Sequence, residues 1–196
     1  MTTGVFVALP HYARQAECVP SAMPEIVLYI AASLDGYIAE EDGGVKFLQP
    51  FEEAGIDYGY QAFQKSLSAV VMGAKTYEQI LGFGWPEWPY KGLPVYVCTR
   101  RELPTTVDPD VWLWPDPVEE LVRQLPDGRT WLMGGAQLID SFNALGLVDR
   151  LMLAVMPVFL GRGIKLLNQP PPQQLVLEDL TRYPDGVLML EYALKR

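Results

Sequence analysis

The chain has 196 residues, 49% of them hydrophobic and 20% charged, a composition that suits one water-soluble globular domain with a substantial core. Its formal net charge of −9 argues against nucleic acid or an anionic membrane surface as partner, although a locally basic pocket still has room for a small anion. The 2 cysteines, Cys18 and Cys98, and the single histidine, His11, argue against a disulfide framework, a metal site and a histidine general base. A reduced, cytoplasmic setting fits them, and any acid–base work falls to Asp, Glu, Lys, Tyr or ordered water.

Residues 1–24 read as an N-terminal extension, expected to be poorly ordered. Val5 to Leu9 is a brief apolar run without the basic segment of a secretory signal. The pattern changes at residue 25, and residues 25–196 read as one domain. Ile26 to Ala32 is a continuous apolar run, which predicts a central strand covered on both faces. Ser33 to Ala39 then leaves the sheet, followed by the acidic, glycine-rich loop Glu40 to Gly44. Ile56, Tyr60, Phe63 and Leu67 have helical spacing, with Asp57 at the helix entrance, where a carboxylate serves as a cap.

Ala69 to Met72 predicts a second buried strand, and Gly73 opens a helix that ends at Gly82. Gly84 to Tyr90 is a loop of aromatics and prolines. Pro94 to Cys98 predicts a third strand running into Thr99-Arg100-Arg101. Such an arginine pair is either a solvated surface feature or a fork for a phosphate. After a short strand at Val111 to Trp114, Asp116-Pro117-Val118-Glu119 predicts a helix start with Asp116 as cap, and Val118, Leu121, Val122 and Leu125 as its buried stripe.

Thr130 to Gly134 predicts another strand. Gly134-Gly135 leads it into a helix carrying Leu138, Ile139, Phe142 and Leu145. A strand–glycine–helix junction lets backbone approach a bound group and aims free N–H donors at an anion, but it equally serves as a tight turn. Leu151 to Met156 predicts a further strand. Gln174 to Leu180 and Val187 to Leu194 flank the turn Tyr183-Pro184-Asp185-Gly186 as a hairpin. The whole predicts an α/β fold: a mostly parallel central sheet flanked by helices, with a C-terminal antiparallel hairpin.

The common nucleotide and hydrolase signatures are missing. Gly82-Phe83-Gly84 lacks the third glycine of a Rossmann fingerprint, and there is no P-loop, Gly-x-Ser-x-Gly elbow or His-Glu-x-x-His helix. Ser33-Leu34-Asp35-Gly36-Tyr37-Ile38-Ala39, Met72-Gly73-x-x-Thr76-Tyr77-Glu78, Val97-Cys98-Thr99-Arg100, Gly134-Gly135, Leu147-Val148-Asp149 and Pro157-Val158-x-Leu160-Gly161-x-Gly163 occur in that order. From about Ile26 to the C-terminus the chain thereby resembles the riboflavin-biosynthesis reductase (RibD C-terminal domain) family of the dihydrofolate-reductase-like superfamily.

The resemblance implies a dihydrofolate-reductase-like fold, a homodimer and bound NADPH. By it, Gly73, Lys75 and Thr76 meet the pyrophosphate or adjoining ribose, and Thr99, Arg100 and Arg101 hold the 2′-phosphate. Ala32, Met133, Gly134, Gly135, Ala136, Gln137 and Leu138 close on the pyrophosphate and nicotinamide side, with a Gly134–Gly135 bond that is often cis in the superfamily. The position after Gly73, often arginine in relatives, is Ala74 here, which passes its phosphate contact to Lys75 or to backbone. Asp35, with Ser33, Gly161 and Arg162 around the substrate pocket, would face substrate and nicotinamide; its other reading is the carboxylate of an Asp-Gly turn. Asp57 would take the place of the pterin-protonating carboxylate of dihydrofolate reductases, but the tryptophan-and-proline segment of those enzymes is absent. The implied activity is NADPH-dependent hydride transfer to a small heterocycle, first of all 5-amino-6-(5-phosphoribosylamino)uracil. A dihydrofolate or other pterin or carbonyl reductase and a non-catalytic nucleotide-binding dimer are the alternatives.

Overall fold

Apolar runs too continuous for a half-exposed strand become the middle of one sheet. The computed structural model describes residues 23–103, 108–168 and 170–194, so His11, Cys18 and all but the last two residues of the predicted extension lie outside it. The strands are β1 (Glu25–Ser33), β2 (Tyr37–Ala39), β3 (Leu67–Gly73), β4 (Val95–Cys98), β5 (Val111–Trp114), β6 (Arg129–Gly134), β7 (Arg150–Met156), β8 (Ile164–Lys165), β9 (Leu175–Arg182) and β10 (Leu188–Leu194). The helices are α1 (Gln49–Glu53), α2 (Tyr60–Lys65), α3 (Ala74–Gly82), α4 (Val118–Val122) and α5 (Ala136–Ala144). Eight strands form the main sheet in the order β5-β4-β3-β6-β1-β7-β10-β9; the first six are parallel, β10 runs antiparallel to β7, and β9 antiparallel to β10.

Register explains why β1 and β3 are apolar throughout. Alternate residues of a strand face opposite sides of the sheet, and here both sides are covered. Ile26, Leu28, Val71 and Leu132 pack with Leu121, Ile139 and Phe142 of α4 and α5 on one side. Val27, Val70, Met72 and Trp131 pack with Phe63 of α2 and Tyr77 and Ile80 of α3 on the other. Among the described residues no helix is long and apolar enough to cross a membrane.

Two local expectations need correcting. The helical spacing through Leu67 overruns: α2 ends at Lys65, and Leu67 is buried as the first residue of β3, paired with Arg129. Its burial in the sheet overrides its fit to the helical period. Asp116 does not cap α4, whose N-cap is Pro117 in extended conformation with no side-chain cap bond. The segment after Ser33 leaves the main sheet as expected, and within it β2 pairs antiparallel with β8 in a separate two-stranded sheet. Strands of three and two residues are too short to show a period.

The β2–β8 pair needs a glycine at one point. Gly163 has φ +151°, and a Cβ there would collide with the carbonyl oxygen of Ala39. Gly163→Ala is therefore expected to lower stability by at least about 2 kcal/mol, read as a lower midpoint in urea unfolding with an unchanged slope.

Candidate active site

The parallel strands all end on one edge of the sheet, and the candidate residues gather there. β3 delivers Gly73 and β6 delivers Gly134, each followed at once by a helix. Gly73 and Gly135 are the N-caps of α3 and α5, and neither helix has a side-chain cap bond or an acidic residue in its first turn. The early N–H groups of both helices thus point out of the strand edge with no side chain across them. The two junctions touch. A Cβ on Gly73 would lie 3.5 Å from the Gly135 nitrogen and 3.6 Å from the Gly134 oxygen, and one on Gly135 would lie 3.5 Å from Thr76 Oγ1. The Gly134–Gly135 peptide bond is cis, and Gly134 has φ +117°.

Around this pair the other candidates sort by what they can offer. Lys75 is exposed in the first turn of α3 and makes no ion pair among the described residues. Gln137 is exposed and Ala136 half-buried. Leu138 is buried in the core, and its N–H is bonded to the Gly135 carbonyl at 3.0 Å. Ala32 is buried near the end of β1, opposite Val155. Met133 is half-buried, with its sulfur 3.9 Å from the Tyr90 hydroxyl that donates to it.

The basic stretch follows β4. Thr99 is held by its N–H to the Trp114 carbonyl, and its Oγ1 accepts the Arg101 N–H at 3.0 Å. Arg100 donates through Nε to the Pro115 carbonyl at 3.3 Å, which fixes the guanidinium while leaving its two terminal nitrogens available. Arg101 is different. Its Nη2 donates to both carboxylate oxygens of Glu78, at 3.2 and 3.1 Å, so its charge is compensated from α3. Sequence reasoning did not assign Glu78; its place one turn into α3, behind the glycine junction, was the available signal. Cys98 lies beside this stretch, and burial pushes its thiol up to about 12, which keeps it protonated and unreactive.

Asp35 proves to be heavily bonded. It accepts the Ser33 hydroxyl at 2.6 Å, the Leu160 N–H at 3.1 Å and the Gly161 N–H at 2.7 Å. The Ser33 hydrogen bond above all, with the two backbone donors, holds this carboxyl below the usual range against the opposing effect of desolvation. It therefore fastens the loop after β1 to the turn after β7, helped by the Leu34 N–H to the Val158 carbonyl at 2.8 Å. Arg162, beyond that turn, forms an exposed ion pair with Glu41 at 3.3 Å. Asp57 is elsewhere. It is exposed and accepts the Gln61 N–H at 3.2 and 3.3 Å, the geometry of a carboxylate at the start of α2. Among the described residues, none hydrogen-bonds both Asp35 and Asp57.

An aromatic wall completes the α2 side. Tyr29 stacks on Phe63 with centroids 4.4 Å apart, and Trp131, Tyr60 and Tyr90 pack edge-on around them. The alternation of Val27 and Tyr29 and the aromatic loop before Tyr90 were its traces in the sequence.

A mixed sheet in this strand order, with glycine-led helix starts at the ends of β3 and β6, is the dihydrofolate-reductase-like fold. Residues 24–189 match the RibD C-terminal domain family, and the chain belongs to that family. It is 35% identical over 146 residues to YwjB of Bacillus subtilis (strain 168), covering 73% of this chain and 82% of that one. Against YyaP of the same organism it is 27% identical over 188 residues, covering 85% and 93%. The names of both leave activity unassigned. Among solved structures, it superposes on a protein of Shewanella sp. PV-4 described under riboflavin biosynthesis with a TM-score of 0.75, at 24% identity over 88% of this chain and 99% of that one. On the Thermotoga maritima diaminohydroxyphosphoribosylaminopyrimidine deaminase/5-amino-6-(5-phosphoribosylamino)uracil reductase the TM-score is 0.64, at 19% identity, covering 88% of this chain and 57% of that larger one. At these identities the structures share the fold.

The bonding of Asp35 gives a prediction independent of any ligand. Because its folded-state pKa is lowered, the carboxylate remains charged down to its depressed pKa and is lost as pH falls through it. The Leu160 and Gly161 amides should therefore stay protected from hydrogen exchange at pH 5. In Asp35→Ala both should exchange at least about tenfold faster, with little change at β3 or β6.

Proposed function

We propose that this protein is an NADPH-dependent reductase that passes hydride to a small heterocyclic substrate, of the 5-amino-6-(5-phosphoribosylamino)uracil reductase type. The observation that carries this reading is the contact between two uncapped, glycine-led helix starts, with the Arg100 guanidinium at the end of the next strand. One pyrophosphate suits the helix starts, which offer backbone N–H donors and the positive ends of two helix dipoles. A second, isolated phosphate suits the terminal nitrogens of Arg100, which match its oxygens as a fork. NADPH carries both groups, and the residues present fit it. Gly73, Lys75 and Thr76 would hold one side of the pyrophosphate, and Gly134 to Gln137 the other.

When bound, the nicotinamide supplies the hydride; the chain supplies placement. Gly73 and Gly134–Gly135 keep side chains out of the approach to the strand edge. The Ser33–Asp35 pair sets the loop after β1 and, through Leu160 and Gly161, the turn that borders the substrate side. Holding donor and acceptor in register in this way contributes roughly 7–11 kcal/mol to lowering a barrier of this kind. Asp35 is ionised and has three donors on its two oxygens, so its part is to position the mouth of the site. The proton that must accompany hydride comes from water at that mouth. Asp57 shapes the start of α2. The family relation and the absent tryptophan-and-proline segment favour the riboflavin-type substrate over dihydrofolate. The scarcity of cysteines underlies a reduced, cytoplasmic reading.

Titration with NADPH and NADH, followed by nicotinamide fluorescence, tests the cofactor. Saturable NADPH binding is expected; its absence would overturn the reading. Arg100→Ala should weaken NADPH by about tenfold or more, the worth of a charge-assisted contact, and leave NADH nearly unchanged. Glu78→Gln should tighten NADPH several-fold by releasing Arg101 toward the phosphate, again without effect on NADH. NADPH oxidation with the ribosylaminouracil, pterins and simple carbonyl compounds then tests the substrate, and turnover is expected with the first.

A further inference from the structure

Beside α2, on the face of the sheet away from α4 and α5, the fold leaves a cavity of about 340 Å³. Its floor comes from β7 and β10, where Met152 stands opposite Glu191, and Met189 lies two residues before Glu191 on the same side. Phe63 of α2 forms one wall. Tyr58 and Tyr183, packed edge-on with centroids 4.9 Å apart, form another. Thr181 of β9, opposite Met189 in register, lines the rim, and Arg129 at the start of β6 closes the lower end. The floor lies across β1 from the glycine junctions that end β3 and β6, so this cavity is distinct from the proposed cofactor site.

Charge around the cavity does not balance. Glu25, half-buried nearby, is answered by Arg129 and Arg150, and Glu178 by Arg150. Glu191 is half-buried too, but it makes no ion pair among the described residues. Arg129, the cation in the lining, is already committed to Glu25 at 2.9 Å. Burial first, then the neighbouring charges of Asp57, Glu191 and Asp179, push Tyr183 up, so three carboxylates lie within electrostatic reach of this wall. We propose that the cavity binds an organic cation, a primary ammonium carried on a flat apolar body. An ammonium against Glu191 gains a charge-assisted hydrogen bond and gives that half-buried carboxylate the partner it lacks. Aromatic faces attract a cation, and the thioethers of Met152 and Met189 adapt to a flat ring laid on them. A cavity of this volume stands at the small end of ligand pockets, so the body is a single ring and not a dinucleotide. An anion would meet Glu191 with Arg129 already spent.

Phenethylammonium, its neutral isostere phenethyl alcohol and the anion phenylacetate test this on the full chain without cofactor, so the outcome is independent of the reductase reading. The methyl resonances of Met152 and Met189 in methionine-labelled protein report the site directly. Saturable shifts at both are expected with phenethylammonium, with a dissociation constant of about 1 mM or lower. The alcohol and phenylacetate should bind at least about tenfold more weakly. Glu191→Gln keeps the size and removes the charge; it should weaken the ammonium at least about fivefold and leave the alcohol unchanged. Equal affinity of the wild-type chain for ammonium and alcohol would overturn the proposal, and that comparison needs no variant. Tighter binding of phenylacetate would overturn it by handing the cavity to Arg129. So would an unchanged ammonium affinity in Glu191→Gln, or no saturation by about 20 mM phenethylammonium.

Discussion

Backbone against backbone at the ends of β3 and β6 is the constraint on which the rest of this strand edge depends. Gly73 and the Gly134–Gly135 pair approach closely enough that a side chain on either would sit between them. The closeness brings two helix axes to neighbouring points and leaves their first N–H groups aimed the same way. The buried strands behind the junction hold this arrangement, since Val70, Val71, Met72 and Leu132 have no exposed surface.

Charge is distributed around the edge in compensated pairs. Arg101 is matched by Glu78, Arg162 by Glu41, and at the far edge Glu25 is matched by Arg129 and Arg150. Burial opposes ionisation of Glu25, but the two guanidinium partners outweigh it and keep its carboxyl below the usual range. Arg100 and Lys75 are the cations at the site that carry no carboxylate partner among the described residues. An acidic chain can thus present a small positive region without a basic surface overall.

The sequence was most legible where burial leaves no choice. Strands covered on both faces must be apolar without alternation, so Ile26 to Ala32 and Ala69 to Met72 announced themselves, and the glycine after Met72 marked a junction. Leu67 was misread because it satisfies a helical period and a strand position equally; only its partner Arg129, far along the chain, decides between them. The same distance hid the bonding of Asp35, whose donors Leu160 and Gly161 belong to a turn 125 and 126 residues away. An Asp-Gly pair carries no sign of such partners. The aromatic wall and the Glu78–Arg101 pair left only traces for the same reason, because each joins residues from different elements.

The place of β1 has a consequence for how the chain reaches this state. Its neighbours in the sheet are β6 and β7, and the ion pairs that accompany them join Glu25 to residues 104 and 125 positions later. At synthesis rates of about 5–20 residues per second, the most apolar early segment waits about 5–25 s before its second flanking strand exists. Parallel pairing of this separation is also slow in itself, because the intervening chain loses its freedom before the contacts that reward it form. During that interval Ile26 to Ile30 is an unpaired strand, exposed on both edges. A long wait for its partners is thus built into the strand order for β1, whatever the stability of the finished fold.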